Sequence, residues 1–112
     1  MSGKDLDGRC LEQLFEVIES RRTADPAKSH TARLLAGGPR AAAKKLGEEA
    51  LEAVIEGIAG DKTRLISESA DLLYHLLVLW AARGVRPAEV WAELEARRGV
   101  SGIADKAARK AD

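Results

Sequence analysis

The 112-residue sequence predicts an all-α protein with one domain and four main helices. Three observations support this fold class. Alanine, leucine, glutamate and arginine, which favour helices, are abundant, whereas only 4% of the residues are aromatic. Apolar residues recur at spacings of three and four, and no segment shows the alternation of a strand. Glycine and proline separate the apolar segments from one another, so they mark the expected ends of helices.

The N-terminal part is predicted to form one packing helix and one short helix. The first helix runs from about Leu6 to Arg21, and Asp5 or Asp7 can cap its start. Its apolar face consists of Leu11, Leu14, Phe15 and Ile18. After breaks at prolines and glycines, residues 31–36 form a short helix that Ser29 caps.

Three longer helices are predicted to follow. The second main helix starts near Pro39, a favoured first-turn residue, and ends at Gly60. The third starts after Asp61, which can cap it, and ends before Gly84. Pro87 opens the fourth, which ends at Gly99. Its predicted core stripe consists of Val90, Trp91 and Leu94. Residues 99–112 lack apolar periodicity, so we expect a mobile tail after a domain that covers residues 1–98.

Charge and cysteine content exclude several classes of protein. The 18 basic and 18 acidic residues balance, so no nucleic-acid or membrane-surface footprint is indicated. Cys10 is the single cysteine, which excludes an intramolecular disulfide and a cysteine zinc cluster. The start of the chain lacks the apolar segment of a signal peptide, and Asp71 and His75 interrupt an apolar run that is too short to span a bilayer. We therefore expect a cytoplasmic protein.

Five carboxylates on the second and third helices are the candidate functional residues. Glu48, Glu49 and Glu52 fall within a sector of about 100° on the second helix. Alone, that sector is typical of a solvated helix face. Asp71 differs, because it lies in the run ADLLYHLLVLWAA, which is apolar on every face and is therefore predicted to be buried. Glu68, three residues earlier, projects from the same side.

Two explanations of these acids stay open on the residues alone. A buried carboxylate is costly unless a positive group meets it, so Asp71 can belong to a structural ion pair with Arg64 or with a basic residue of the second helix. Alternatively, a short loop packs the two helices antiparallel and brings E-E-x-x-E against E-x-x-D. Clustered carboxylates raise each other's pKa values unless a cation neutralises them, and oxygen ligands favour Mg²⁺ or Mn²⁺ over zinc.

Basic residues and one histidine are further candidates. Arg33 can contact phosphate or be an ordinary exposed arginine. Lys44 and Lys45, one turn before the acids, can bind substrate phosphate or offset the acidic charge. His75 can orient a carboxylate or a water, or be a hydrogen-bonded core histidine. The two glycines before Pro39 do not form a Walker-type phosphate loop.

Three segments together resemble the phosphoribosyl-ATP pyrophosphatase family. They read SHTARLL, KKLGEEALE and ESADLLYHLLVLWAARG, and the resemblance runs from about Leu11 to Arg98. E-E-x-x-E followed by E-x-x-D is typical of the wider superfamily of MazG-type, all-α nucleotide pyrophosphohydrolases; the first segment and D-L-L-Y-H-L-L-V-L indicate the phosphoribosyl-ATP branch. One position departs, since His30 stands where the family usually has tyrosine.

The resemblance implies a function, a cofactor and an assembly. The implied reaction is hydrolysis of 1-(5-phosphoribosyl)-ATP to phosphoribosyl-AMP and pyrophosphate, the second step of histidine biosynthesis. The implied assembly is a MazG-like homodimer with a shared four-helix core and sites near the interface. We hypothesise that Glu49, Glu52, Glu68 and Asp71 ligate Mg²⁺, with Mn²⁺ as a substitute, and that Glu48 joins them or orients water from outside the ligand shell. All five acids are then catalytic candidates.

Two other functions remain compatible with the sequence. A house-cleaning nucleoside triphosphate pyrophosphatase of the same superfamily would use the same carboxylates on another nucleotide. A helical dimerisation module without catalysis would instead pair the acids with Arg64, Lys44 and Lys45. A nucleotide panel separates the first alternative, and metal binding by calorimetry separates the second.

Overall fold

The computed structural model describes residues 6–99, and this part of the chain is built from five α-helices joined by short loops. The helices are α1 (Arg9–Ser20), α2 (His30–Ala36), α3 (Gly38–Ala59), α4 (Lys62–Arg83) and α5 (Pro87–Arg97), and a 3₁₀ turn (Arg21–Thr23) follows α1. The predicted all-α class is confirmed. The predicted tail lies, apart from Gly99, outside the described residues.

Local capping residues set most helix ends where the sequence predicts them. Ser29 Oγ accepts a hydrogen bond from the Ala32 N–H at 3.1 Å and so starts α2. Asp61 Oδ1 accepts one from the Arg64 N–H at 3.2 Å at the start of α4. Gly60 ends α3 in the left-handed region, with φ of 91°, a conformation that other residues adopt only with strain.

The first helix begins later than predicted, at Arg9 instead of Leu6. Asp7 explains the difference, because its carboxylate accepts from the Arg9 N–H at 2.9 Å and from the Arg9 guanidinium at 2.8 Å. The side-chain bond with Arg9, and then the backbone bond, lower the pKa of Asp7. The N-cap residue is Gly8, which has no side chain to cap the helix, so Asp7 binds the first N–H of α1 from one position before the cap. Asp5, the other predicted cap, lies outside the described residues.

The core lies around the C-terminal half of α4. α3 and α4 form a long antiparallel hairpin through Gly60 and Asp61, and α4 also packs against α1 and α2. The buried apolar side chains are those of Phe15, Ile18, Ala32, Leu34, Ala42, Leu77, Val78 and Ala81. All the buried residues of α4 thus belong to its second half, and α1, α2 and α3 supply the side chains that pack with them.

Three contacts tie the ends of the fold together. The Arg22 guanidinium donates to the Ala81 carbonyl near the end of α4 and pairs with Glu19. Trp91 of α5 packs edge-to-face on Trp80, with ring centroids 5.9 Å apart. Its indole N–H also donates to Glu12 Oε1 at 2.8 Å, which anchors α5 to α1.

The hairpin is less covered than the sequence predicts. The prediction that α4 is buried on every face is wrong for the single chain, since Ile66 is 61% exposed and Leu73 is 42% exposed. The exposed apolar side chains of α3 are Leu51, Val54, Ile55 and Ile58. The predicted core position Leu94 is also exposed. The reason is geometric: within residues 6–99, no other helix packs on these faces.

The length and composition of α4 satisfy the criteria for a membrane span. It has 22 residues and one 18-residue window with a mean hydropathy of 1.3. The expectation that its apolar run is too short is therefore not supported by helix length alone. Central helices of soluble proteins meet the same criteria, and α4 carries Glu68 and Asp71 and packs against α1, α2 and α3.

Candidate metal centre

The α3–α4 hairpin brings together three carboxylates from its two arms. Glu49 lies on α3, and Glu68 and Asp71 lie one turn apart on α4, at similar distances from the loop. One carboxylate oxygen of each residue lies within 4.8 Å of one oxygen of the other two. The short loop is what creates this arrangement, because it forces the two helices to run antiparallel in contact.

The three acids differ in their access to solvent. Glu49 and Glu68 are half-buried, and Asp71 is exposed. The expectation that Asp71 is buried is wrong for the single chain, because α3, which brings Glu49 close to it, leaves the rest of its side chain open to solvent.

The electrostatics of the cluster appear in the pKa of Glu68, which is raised. Burial is the largest cause, and the negative charges of Asp71, Glu49, Glu52 and Glu56 add to it in that order. Glu56, on α3, was not among the predicted site residues. Glu68 thus lies in an environment that resists its ionisation, which a bound cation would relieve.

The remaining predicted acids lie at the margin of this cluster. Glu52 is exposed and is not one of the three converging carboxylates, although its charge raises the pKa of Glu68. Glu48 is also exposed, and its Oε1 lies 3.5 Å from the Lys45 Nζ. The same ammonium lies 3.8 Å from Glu49 Oε1. Lys45 therefore offsets part of the acidic charge.

A structural ion pair does not account for Asp71. Arg64, its proposed partner, has its Nε 3.7 Å from Asp61 Oδ2 at the start of α4. Within the described part of the chain, Asp71, Glu68 and Lys44 form no salt bridge. The converging acids consequently lack a protein cation other than Lys45.

The donor set fits a hard divalent cation. The three converging side chains offer only carboxylate oxygens, which Mg²⁺ and Mn²⁺ prefer and which zinc usually meets together with nitrogen or sulfur. Mg²⁺ commonly binds through few carboxylates and keeps several waters, so an exposed Asp71 on the rim suits it.

A second polar group lies at the contact between α2 and α4. The Thr31 hydroxyl and the Tyr74 hydroxyl are hydrogen-bonded to each other. His75 packs edge-to-face on Tyr74 with centroids 4.9 Å apart, and His30 lies near both rings. Sequence reasoning missed Thr31 and Tyr74, although Tyr74 falls three residues after Asp71 and so belongs to the same side of α4.

The predicted phosphate-binding arginine lies nearby in the chain but is engaged locally. Arg33 is an exposed residue of α2, and its Nε donates to the Pro26 carbonyl at 3.2 Å. This bond holds the stem of the side chain against the preceding loop and uses one of its five N–H donors. The remaining N–H groups of the planar guanidinium can donate to the oxygens of a phosphate.

A family model with the description "Phosphoribosyl-ATP pyrophosphohydrolase" matches residues 11–98. The chain belongs to this family. The match covers all five helices except the first two residues of α1, and the resemblance in the three sequence segments is thereby confirmed. Family membership makes the protein a hydrolase of phosphoric anhydrides, so the alternative of a module without catalysis is not supported.

Curated relatives carry the corresponding name. A protein of Granulibacter bethesdensis named phosphoribosyl-ATP pyrophosphatase is 63% identical over 88% of this chain, which spans 62% of that protein's length. A namesake from Cereibacter sphaeroides is 61% identical over 88% of the chain and 96% of its own length. One from Azospirillum brasilense is 50% identical over 98% of the chain and 99% of its own length.

Proposed function

We propose that this protein hydrolyses 1-(5-phosphoribosyl)-ATP to 1-(5-phosphoribosyl)-AMP and pyrophosphate in the cytoplasm, as the second step of histidine biosynthesis, with Mg²⁺ as its cofactor. The substrate follows from the names of the relatives, one of which matches over nearly its whole length. The observation that carries the metal dependence is the convergence of Glu49, Glu68 and Asp71 within 4.8 Å.

The acids of the hairpin would hold the cation. Glu49, Glu68 and Asp71 are its direct ligands in this proposal, Glu52 completes the set, and Glu48 orients water from outside it. When bound, Mg²⁺ neutralises charge on the triphosphate and lowers the pKa of the attacking water. The raised pKa of Glu68 supports this role, because a cation would offset both the burial and the neighbouring negative charges that raise it.

Basic side chains would bind the phosphates. Lys45 lies 3.5–3.8 Å from Glu48 and Glu49, longer than a strong charge-assisted hydrogen bond, so its ammonium can move to a phosphate oxygen when the cation replaces it at the acids. Lys44 is exposed on the same helix, and Arg33 offers a planar donor group from α2. These three residues are the proposed phosphate contacts.

A homodimer is the proposed working form. The apolar faces of α3 and α4 are exposed in the single chain, and exposed apolar surface on a helical hairpin favours pairing with another helical hairpin. Two hairpins pack as four helices, so a second copy of this chain would cover both faces symmetrically. The exposed positions are Leu51, Val54, Ile55, Ile58, Ile66 and Leu73.

The dimer can be tested with a charge on the apolar face. Ile66→Glu is expected to yield a monomer in sedimentation velocity, because the new carboxylate would be buried without a partner in the interface. Val17→Glu is a matched control on α1, where Val17 is 47% exposed. A dimer that persists in Ile66→Glu and dissociates in Val17→Glu contradicts the assigned interface.

Pyrophosphate release decides the substrate. The purified protein is assayed with phosphoribosyl-ATP, ATP and dUTP, each with Mg²⁺ and each with EDTA. Fast release from phosphoribosyl-ATP with Mg²⁺ and no release with EDTA is the expected result. Faster release from dUTP or ATP than from phosphoribosyl-ATP would indicate a house-cleaning nucleotide pyrophosphatase instead. Release that persists in EDTA would contradict the proposed dependence on Mg²⁺.

A further inference from the structure

His75 contains an orphaned polar atom in the interior of the fold. Its side chain is 94% buried, and among residues 6–99 its Nε2 is the buried side-chain nitrogen or oxygen atom that lacks a hydrogen-bond partner. Buried polar atoms of native proteins are nearly always paired, so an orphan indicates either a water or a ligand group that completes it.

The hydrogen bond at the other ring nitrogen determines what Nε2 can do. His75 Nδ1 lies 2.9 Å from the Asp71 carbonyl oxygen, which can only accept, so Nδ1 carries the proton and donates. In the neutral ring the proton on Nδ1 leaves a lone pair on Nε2. Nε2 is therefore an acceptor that needs a donor.

The ring lies beside further polar groups suited to a small hydroxylated ligand. The Tyr74 ring lies edge-on to His75, and its hydroxyl is paired with that of Thr31. His30 lies 6.4 Å from both rings, as the exposed first residue of α2. Tyr74 is held by its hydrogen bond, and His30 is the solvent-exposed ring next to the pair.

The position along α4 identifies the part of the ligand that reaches this atom. His75 follows Asp71 by four positions on the helix, which corresponds to a rise of about 6 Å. The proposed function places the triphosphate at the acid cluster, and a nitrogen lone pair has no proton to donate to an ionised phosphate oxygen. The group attached to the triphosphate is a ribose, whose hydroxyls are donors. We propose, resting on that function, that His75 Nε2 accepts a hydrogen bond from a ribose hydroxyl of the nucleoside triphosphate part of the substrate.

Two substitutions separate the two nitrogens of the ring. His75→Gln places an amide oxygen near the position of Nε2, and His75→Asn places an amide nitrogen near Nδ1. A ribose contact through Nε2 is retained in His75→Gln and lost in His75→Asn. If His75 has only a structural role through its bond to the Asp71 carbonyl, His75→Asn should behave like the wild type and His75→Gln should be impaired. Circular dichroism and Mg²⁺ titration of both variants verify that the fold and the metal site remain.

The readout is the competition of ATP and 2′,3′-dideoxy-ATP with phosphoribosyl-ATP in the pyrophosphate assay. In the wild type we expect ATP to inhibit roughly three- to tenfold more strongly than 2′,3′-dideoxy-ATP, because one net hydrogen bond changes affinity by about this factor. In His75→Asn the ratio of inhibition by ATP to inhibition by 2′,3′-dideoxy-ATP is expected to fall to about one, because the hydrogen bond to the ribose is lost. A wild-type ratio of one, no inhibition by ATP, or a full ratio in His75→Asn overturns the proposal.

The wild-type protein offers a second test that needs no variant. In ¹⁵N-histidine-labelled protein, the Nε2 resonance of His75 is expected to shift on addition of ATP and to stay in place on addition of 2′,3′-dideoxy-ATP. An equal response to both nucleotides overturns the ribose contact. Absence of pyrophosphate release from phosphoribosyl-ATP would instead refute the proposed function, and the labelled protein still tests the ribose contact with ATP.

Discussion

The two halves of α4 differ in composition and in surroundings: residues 73–83 are mostly apolar, whereas residues 62–72 carry most of its charged side chains. In the second half, Leu77, Val78 and Ala81 are almost fully buried. In the first half, Ile66 and Asp71 are exposed and Glu68 is half-buried. The comparison indicates that one continuous helix divides its tasks: the C-terminal half supplies packing, and the N-terminal half carries the acids of the proposed metal site. Substitutions in the two halves should therefore affect different measurements.

The largest expected effect is on catalysis in the first half. Asp71→Asn keeps the size of the side chain and removes one negative ligand, so we expect kcat to fall on the order of a thousandfold with Mg²⁺ present. Unfolding by urea should show no loss of stability without metal. Glu93→Gln, a surface change on α5, is the matched control and should leave kcat unchanged. Near-normal turnover in Asp71→Asn would remove this residue from the metal site.

Substitutions in the second half of α4 should change the stability of the fold. Leu77 is 1% exposed, so Leu77→Ala leaves a cavity and is expected to lower the free energy of unfolding by about 3 kcal/mol. Leu94→Ala, at a 57% exposed site, should lower it by less than about 1 kcal/mol. Urea denaturation measures both. Equal losses in the two variants would contradict the assignment of the core to the second half of α4.

A smaller effect is expected at the end of the same half. Arg22→Ala removes the donor to the Ala81 carbonyl and the ion pair with Glu19, and should lower the free energy of unfolding by about 1.5 kcal/mol. Arg21→Ala is the control, because Arg21 makes only a 3.5 Å contact with Ser20. If the two variants unfold at the same urea concentration, the bond to Ala81 does not hold α4.

The smallest effect concerns the pH dependence of stability without metal. The pKa of Glu68 is raised in the folded state by burial and by the charges of Asp71 and Glu49. The native state therefore binds the proton more tightly than the unfolded state, and the free energy of unfolding falls as pH rises from the unfolded pKa through the raised one. Urea denaturation of Glu68→Gln in EDTA should show a shallower fall. Identical pH profiles for the variant and the wild type would contradict this.

Helix ends were the most predictable part of the fold, because local groups determine them. Ser29, Asp61, Gly60 and Gly84 act within one turn, and the helices that they bound lie within one residue of the predicted positions. The start of α1 was less predictable, since Asp7 satisfies the Arg9 N–H and delays the helix by three residues relative to Leu6. That choice depends on one side-chain bond.

Contacts between segments distant in the sequence could not be predicted from the residues around them. Nothing near Glu12 in the sequence indicates that it accepts from Trp91, and nothing near Arg22 indicates Ala81. The convergence of acids was predictable in outline from the short loop. Which acids converge depends on the rotation of α3 against α4, so Glu49 meets Glu68 and Asp71 while Glu52 remains at the margin.

The exposure of the hairpin was the part that the sequence misrepresented. Periodicity showed that α4 is apolar all round, and this predicted burial of Asp71. Hydropathy indicates how much surface a helix needs to cover, and it does not indicate whether that cover comes from the same chain. Asp71 and Leu73 are exposed because residues 6–99 contain too few helices to surround the hairpin.

The two-residue connection at Gly60 and Asp61 also has a consequence for how the chain folds. It makes α3–α4 pairing a contact between neighbours in sequence, whereas the Arg22–Ala81 and Glu12–Trp91 bonds close loops of 59 and 79 residues. Nearby contacts lose less chain entropy on closure and form earlier. We expect pulsed hydrogen exchange to protect the hairpin first, so the carboxylates would meet, and the ion could bind, before α1 and α5 have docked.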